Sequence, residues 1–211
     1  MEDTTATVVL TPIEARIVAS LFEKEANTPD TYPLTLNAIV LACNQKTARE
    51  PTMELEPGEV GHALRQLETR GWVKSQHTAR ADRYSHRLDT MLGITRPQAA
   101  LMSLLVLRGA QTAHELMARS ERLARFNDIE DVQHALERLS QRMPALVMAL
   151  PRQSGQRGER YAHLLSGEPD VSAIATSAAP SPAAGGLAER VAQLEQRVAE
   201  LEARLSALSG G

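Results

Sequence analysis

The chain has 211 residues, of which 43% are hydrophobic and 23% charged, and its formal net charge is −3. This length accommodates two small domains with additional material, and the apolar content is sufficient for packed cores. The single cysteine, Cys43, excludes an intrachain disulfide and a cysteine-based metal cluster. Because the first residues lack a signal-peptide pattern and no apolar run approaches the roughly 18 residues that span a membrane, we expect a soluble cytoplasmic protein.

The first predicted helix begins after Thr11, a residue that favours the N-terminal cap, and Pro12 suits its first turn. Apolar residues such as Ile17 and Leu21 follow at helical spacing, which predicts a helix over 11–25. The same patterns predict the next elements, in chain order a helix over 35–43, a helix over 57–70 and strands over 72–77 and 83–88.

The same order of elements recurs further along the chain. Residues 59–73 reappear as residues 131–147, with matched third helices 72 residues apart, from His62 to His134. The first helices match 84 residues apart, from Ala15 to Ala99. The predicted elements of the second copy are helices over 95–108, 112–120 and 129–141 and strands over 146–150 and 160–164.

A repeat of this length indicates a duplicated small domain, and helices followed by two strands are typical of a winged helix. We therefore predict a mainly α (α+β) fold of two tandem winged-helix domains, followed by a flexible linker and a C-terminal coiled-coil helix. The predicted plan is an N-terminal tail (1–9), a first winged-helix domain (10–93), a second (94–166), a disordered Ala/Ser/Pro/Gly linker (167–186) and a coiled-coil helix (187–209).

The predicted coiled-coil helix has apolar residues that alternate spacings of four and three. These are Leu187, Val191, Leu194, Val198, Leu201, Leu205 and Leu208. Leucine at every d position with valine at two a positions favours a parallel dimer. In such a dimer Arg190 at a g position meets Glu195 at an e position of the other chain. We therefore predict a homodimer that forms through this helix.

Several long segments resemble the bacterial YceH-like family, and the resemblance covers about residues 8–168. The segments are 10–16, 21–25, 28–33, 42–46, 150–153 and 160–167. The resemblance implies a tandem winged-helix fold, in agreement with the order of elements, and it implies no particular activity.

In a winged helix the third helix usually enters the DNA major groove, while the wing between the two strands touches phosphate or the minor groove. We predict that Arg65 and Gln66 contact base edges, because arginine and glutamine read guanine and adenine respectively. The full set of predicted DNA-binding residues is Arg65, Gln66, Thr69, Lys74, Arg80, Arg83, Arg152, Arg157 and Arg160. A solvated, mixed-charge helix face remains an equal interpretation of the third helix, since Glu59 and Glu68 share it.

The leading hypothesis is a non-enzymatic protein that binds double-stranded DNA, with a role in transcription regulation. The alternative is a protein–protein interaction module that uses its winged helices as an assembly surface. Overall acidity favours the alternative, as do Asp128, Glu130 and Asp131 at the start of the second copy's third helix, where carboxylates repel phosphate. The sequence shows no catalytic, cofactor or metal-binding pattern, so none of these residues or groups is predicted.

Three smaller features complete the expectations. Cys43 lies beside apolar residues and is predicted to pack in the core. His86 and His163 follow a tyrosine at equivalent strand positions, which predicts a shared structural role. The polar connection 44–56 is an insertion of about twelve residues that the second copy lacks, and it is a candidate wall of a ligand or partner cleft.

Overall fold

The computed structural model describes residues 10–78, 81–151 and 158–169, all within one compact unit that ends at Pro169. The elements of the first repeat are α1 (Pro12–Asn27), a 3-10 turn (Pro29–Thr31), β1 (Leu34–Thr35), α2 (Leu36–Cys43), α3 (Pro57–Thr69), β2 (Val73–Gln76) and β3 (Arg83–His86). A short helix, α4 (Leu88–Leu92), leads to the second repeat. Its elements are α5 (Arg96–Arg108), β4 (Gln111–Thr112), α6 (Ala113–Ser120), α7 (Ile129–Ser140), β5 (Val147–Leu150) and β6 (Arg160–His163).

The predicted helices and strands are confirmed, and their ends agree with the structure to within about two residues. One predicted strand, over 83–88, is too long, because β3 ends at His86 and Leu88 already begins α4. The sequence also did not predict β1 and β4. Each has two residues, so its strand character comes from pairing with β3 or β6 rather than from a pattern of its own.

The two repeats contain equivalent three-stranded antiparallel sheets, with strand orders β1-β3-β2 and β4-β6-β5. In the first sheet Val73 pairs with His86, and in the second Val147 pairs with His163. The predicted equivalence of the two histidines is therefore confirmed by strand register.

Threonine side chains begin the equivalent helices of the two repeats. The hydroxyl of Thr11 accepts from the backbone N–H of Glu14, and the carboxylate of Glu14 accepts from the backbone N–H of Thr11. Thr95 and Gln98 form the same reciprocal pair at α5. Such capping boxes satisfy amides that the first helical turn leaves unbonded. They also fix the register in which α1 and α5 correspond, with 84 residues between equivalent positions.

Helices α1 and α5 pack against each other and are buried on all sides over Glu14–Glu23 and Ala99–Leu107. A helix that is enclosed all round belongs to the interior of a structure. One hydrophobic core therefore runs through both repeats, from Ile17 and Phe22 to Leu101 and Leu107. The division at residue 93 into two domains stays a prediction.

The insertion over 44–56 is folded onto both repeats. The buried Arg49 forms a two-pronged ion pair with Glu23 of α1, with nitrogen–oxygen distances of 3.2 and 2.5 Å. The next residue, Glu50, donates its backbone N–H to the carbonyl of Leu107 near the end of α5, at 2.8 Å. The insertion therefore connects α1 with α5.

Residues 170–211 lie outside the described residues, so most of the predicted linker and the whole heptad helix remain predictions. Gly167, where the linker was predicted to start, still belongs to the compact unit and forms a β-bridge with Leu165. Among the residues that the structure describes, no helix has the length and apolar character needed to cross a membrane.

Candidate nucleic-acid interface

Helix α3 buries one face and exposes the other. Its inward residues are Val60, Ala63, Leu64 and Leu67, which recur at helical spacing. The opposite face exposes His62, Arg65, Gln66 and Thr69. This segregation at a period of 3.6 residues leaves a polar helix face available to a partner.

Arg65 lies along the surface of α3 rather than away from it. Its Nη1 is 3.8 Å from the position that a Cβ on Gly61 would occupy, one turn towards the helix N-terminus. Long helical side chains point in this direction, and a glycine at that turn leaves room for the guanidinium. The Thr69 hydroxyl donates to the carbonyl of Arg65 at 2.9 Å, so this hydroxyl is engaged within the helix.

The two acidic residues of this face are bound to nearby protein groups. The carboxylate of Glu59 accepts from the backbone N–H of Glu56 at 2.8 Å. The carboxylate of Glu68 accepts from both the backbone N–H and the hydroxyl of Ser75 on β2. The contact of Glu68 with Ser75 fastens β2 to α3, and both carboxylates face the protein's own hydrogen-bond donors.

Strand alternation determines where the cations of the first ribbon lie. Ser75 faces α3 through its contact with Glu68, so the exposed Lys74 points to the opposite side of the sheet. Arg83 is half-buried, and its Nη1 donates to the carbonyls of Thr31 and Pro33 at 3.3 and 2.7 Å. Arg83 thus positions the 3-10 turn and the residues after it.

Tyr84 is a residue of this surface that the sequence reasoning missed. It pairs with Ser75 across the sheet, and is therefore on the side that faces α3. Burial raises the pKa of its hydroxyl, which also senses the charges of Asp82, Glu68 and Arg65. A tyrosine hydroxyl on this side of the sheet adds a hydrogen-bond donor for phosphate. Its only sequence signal was its place directly after Arg83 in the strand.

The tip of the first ribbon carries an exposed ion pair. His77 Nδ1 lies 2.8 Å from the Asp82 carboxylate, and this hydrogen bond raises the pKa of His77 above its ordinary value. Asp82 therefore favours a positive charge on His77 while it neutralises part of that charge. Arg80, in the same tip, lies outside the described residues.

The second repeat replaces most of these groups with side chains of different character. In α7, Glu137 and Arg138 occupy the positions of Arg65 and Gln66. In β5, the strand register places Met148, Ala149 and Leu150 at the positions of Lys74, Ser75 and Gln76. The two equivalent surfaces therefore differ in charge and polarity. The exposed face of α3 has an arginine followed by a glutamine, whereas the same positions of α7 have a glutamate followed by an arginine.

The start of α7 is acidic, as the sequence predicted. Asp128 caps the helix by accepting from the backbone N–H of Asp131 at 2.9 Å. The carboxylate of Asp131 accepts from the backbone and side-chain amides of Asn127, which lowers its pKa. Negative charge at a helix N-terminus stabilises the helix, so these residues have a local structural role.

A polar and aromatic cluster joins the two repeats at the end of α1. Glu25 accepts from His86 Nε2 at 3.2 Å and from Arg96 of α5 at 2.5 Å. The guanidinium of Arg96 also lies 4.8 Å from the ring centroid of Phe22, and the Tyr32 hydroxyl accepts from the backbone N–H of His86 at 2.8 Å. Burial would raise the pKa of Glu25, but the hydrogen bond from Arg96 and the neighbouring positive charges outweigh it, so the pKa is lowered.

Burial lowers the pKa of His86, against the opposing charge of Glu25. His86 Nδ1 accepts from the backbone N–H of Leu88 at 3.2 Å, which places the ring proton on Nε2. The predicted structural role of His86 is consistent with its hydrogen bonds to Glu25, to the backbone N–H of Leu88 and to the Tyr32 hydroxyl.

Cys43 is fully buried, and burial raises the pKa of its thiol to about 11. Its predicted packing role is confirmed.

A family model described as "Protein of unknown function, DUF480" matches residues 10–156. The chain belongs to the DUF480 family. A UPF0502 protein of Xanthomonas campestris pv. campestris (strain B100) is 57% identical in an alignment of 215 positions, gaps included, that covers 99% of this chain and 96% of that protein. A UPF0502 protein of Stenotrophomonas maltophilia (strain K279a) is 55% identical over 208 residues, which cover 96% and 95%.

The predicted binding residues of this DUF480 chain fall into three groups. Arg65, Gln66 and Thr69 are brought together on α3, whereas Lys74 faces away and Arg83 is engaged with backbone carbonyls. Arg160 is half-buried in the second sheet. The wing arginines Arg80, Arg152 and Arg157 lie outside the described residues.

Two arginines that were not predicted to be important from the sequence stabilise the fold of this DUF480 chain. Arg70, at the end of α3, binds the Glu14 carboxylate at 3.1 Å. Its counterpart Arg142, at the end of α7, donates to the carbonyls of Leu92 and Gly93 at 2.7 and 3.1 Å. Arg70 follows His62 at the same spacing at which Arg142 follows His134, and this repeated spacing was the sequence signal that could have identified them. In the described part of the chain, no group of three or more His, Cys, Asp or Glu side chains is placed to hold a metal ion.

Proposed function

We propose that both repeats are winged helices and that the first repeat binds double-stranded DNA through α3. The observation that carries the proposal is the exposed face of α3, where Arg65 and Gln66 are adjacent while Glu59 and Glu68 are turned to protein amides. Both side chains match groups on the major-groove edges of bases. Tyr84, on the side of the sheet that faces α3, supplies a further contact to the phosphate backbone.

The proposal assigns DNA binding to one repeat only. The second repeat has Glu137 where the first has Arg65, so a carboxylate, which repels phosphate, replaces the arginine. A DNA site on this protein is therefore asymmetric, and its length corresponds to one winged helix for each chain.

Fluorescence anisotropy with a labelled duplex of mixed sequence tests the proposal. We expect binding at low salt that weakens steeply as salt rises, because phosphate contacts release counterions. Arg65→Ala is expected to weaken binding, whereas Lys74→Ala, on the side of the sheet opposite α3, should leave the slope of log affinity against log salt unchanged. The matched control is Glu137→Ala, at the equivalent position of α7, which should leave both quantities unchanged or slightly strengthen binding.

Three results would contradict DNA binding by α3. The first is the absence of binding at low salt, and the second is binding that does not respond to salt. The third is an equal loss of affinity in Arg65→Ala and in a neutral control on α7, His134→Ala, which would place the interface elsewhere.

We propose a protein partner for the surface of the second repeat as the second candidate function. Asp128 and Glu130 lie at the exposed start of α7, and Met143 beyond its end is 99% exposed. An acidic helix start, with an exposed methionine beyond the opposite end of the helix, favours a basic or apolar protein surface over DNA. Crosslinking from residue 143 in cells, with Met143 replaced by a photoreactive analogue, identifies such a partner. Crosslinks to nucleic acid instead would contradict this assignment.

A further inference from the structure

The repeats are equivalent in fold, but they differ at one position where their first helices meet the histidine strand. The threonine caps set the register of α1 and α5, and the strand pairs set that of His86 and His163. In this register Phe22, Glu25 and Arg96 correspond to Val106, Gly109 and Pro12. Helix α5 ends at Arg108, one turn earlier than α1 does.

In the first repeat this place is filled. The carboxylate of Glu25 binds His86 Nε2 and the guanidinium of Arg96, while the ring of Phe22 lies 5.1 Å from that of His86 between ring centroids. The protein itself thus shows which chemistry satisfies the histidine at this position. It is a carboxylate that bridges an imidazole and a guanidinium beside apolar carbon.

In the second repeat the corresponding side chains are truncated, and an open space remains. A cleft of about 230 Å³ lies there, lined by the counterparts Pro12, Val106, Gly109 and His163. The remaining wall includes residues of the 44–56 insertion. We call this space the inter-repeat cleft. This volume is large enough for several water molecules or for a small organic ligand.

Polar groups at the cleft are buried without hydrogen-bond partners. They are Arg16 Nε, His163 Nδ1 and Ser166 Oγ, and all three residues line the cleft. Buried polar atoms are nearly always bonded, so such a concentration at one cavity indicates an absent partner. The fold of the repeat does not by itself explain the unbonded nitrogen of His163, because both ring nitrogens of the equivalent His86 are hydrogen-bonded.

Arg16 supplies a positive charge that the protein does not neutralise directly. It is 1% exposed, and its terminal nitrogens donate to the backbone carbonyls of Cys43 and Pro51 at 3.3 and 2.7 Å. The neighbouring carboxylate, Glu23, is paired with Arg49. Buried charges are usually paired, so Arg16 offers a site for an anion. It lies one helical turn after Pro12, the residue that corresponds to Arg96.

We propose that the inter-repeat cleft binds a small carboxylate with an apolar body, whose carboxylate takes the place that Glu25 has in the first repeat. His163 Nδ1–H and Arg16 Nε–H donate to the carboxylate, and Ser166 Oγ adds a hydroxyl donor. The aliphatic part of the ligand lies along Leu105 and Val106, which also line the cleft. Bound there, the ligand contacts residues of both repeats.

A carboxylate fits this cleft better than a phosphate. Arg16 is a single cation, whereas the exposed Glu50 and Glu168 lie among the lining residues and repel a doubly charged ligand. The carboxylate can belong to a simple aliphatic acid or to an amino acid. In the second case the ligand's ammonium group would face Glu50 or Glu168.

The test uses the full chain and three probes of nearly equal shape, namely 4-methylpentanoate, leucine and the neutral 4-methylpentanamide. Binding is followed by calorimetry and by NMR of the histidine ring signals. We expect 4-methylpentanoate, leucine or both to bind at millimolar concentration and to shift the signals of His163 but not those of His86. The amide should bind at least about tenfold more weakly, since it loses the charge-assisted hydrogen bonds.

Two variants locate the site without removing Arg16, which also holds the fold. Val106→Phe places in the cleft the side chain that the first repeat has at the equivalent position, and His163→Phe keeps a ring but removes both nitrogens. Both should abolish binding while the protein remains folded by far-UV circular dichroism. Leu41→Ala, at a residue 73% exposed on α2, is the control that should bind normally.

Three outcomes overturn the proposal. If neither acid binds, the cleft has no carboxylate site. If the amide binds as well as the acids, the cleft is an apolar space without a role for Arg16. If Val106→Phe folds and still binds, the probes occupy another place. Binding of leucine but not of 4-methylpentanoate assigns the site to amino acids, and the reverse assigns it to simple aliphatic acids.

Discussion

The ion pair between Arg49 and Glu23 provides the sharpest test of how the insertion stabilises the protein. Arg49→Met removes the cation and leaves a buried carboxylate without its partner. The side chains of Arg49 and Glu23 are 0% and 11% exposed, so water does not replace the lost contact. Loss of one partner from such a pair costs about 3–5 kcal/mol. That is a large part of the roughly 5–15 kcal/mol by which proteins are stable.

Urea unfolding followed by far-UV circular dichroism measures this loss. The double variant Arg49→Met with Glu23→Leu should recover most of it, because no buried charge is then left alone. The matched control is Lys46→Met, which removes an ion pair with Glu54 from the same insertion. That pair also has a 2.5 Å contact, but its side chains are 71% and 82% exposed. No measurable change is expected there.

Either of two results would refute this reasoning. A loss below about 1 kcal/mol in Arg49→Met would mean that the buried pair is dispensable. A double variant no more stable than the single one would mean that the cost comes from lost packing or from the carbonyl of Ala42, which also accepts from Arg49.

Three further predictions follow from other parts of the structure. Burial lowers the pKa of His163 to about 4 and also lowers that of His86, so below pH 6.5 the folded state binds fewer protons than the unfolded state. The free energy of unfolding should therefore be highest above about pH 6.5 and should fall as the pH drops towards 4, with a loss of about 3 kcal/mol from His163. Urea titrations at several pH values measure this change. Gly71→Ala should destabilise by about 1 kcal/mol because Gly71 has φ of +79°, whereas Gly58→Ala, in open space on α3, should not destabilise in the same urea assay. Deletion of 187–211 should lower the mass in sedimentation to that of a monomer, and an unchanged mass would place any dimer contact in the compact unit.

Much of the fold was predictable because its signals are local. Apolar residues at a period of 3.6, threonine caps and turn residues are read within a few positions of each other, so α1, α3 and α7 were located to within about two residues. The repeat was equally visible, since duplicated sequence needs no knowledge of contacts. The strands β1 and β4 escaped prediction because two residues carry no periodicity.

The candidate DNA-binding face was predictable in outline only. The helical period placed Arg65 and Gln66 outward on α3, and the structure agrees. The sequence could not show that Arg83 is engaged with the carbonyls of Thr31 and Pro33, because these residues are about fifty positions away. The same limit hid Tyr84, whose place beside α3 depends on how β3 pairs with β2.

The sequence by itself determined the order of elements, the duplication and the apolar faces, since each depends on neighbours along the chain. Only the tertiary structure decided what happens between the repeats. It buried Arg16 and Arg49, which composition alone would assign to the surface, and it placed Val106 and Gly109 where the first repeat has Phe22 and Glu25. These outcomes depend on contacts between distant residues, where the cost of burying a charge or leaving a space is set by whatever side chain lies opposite.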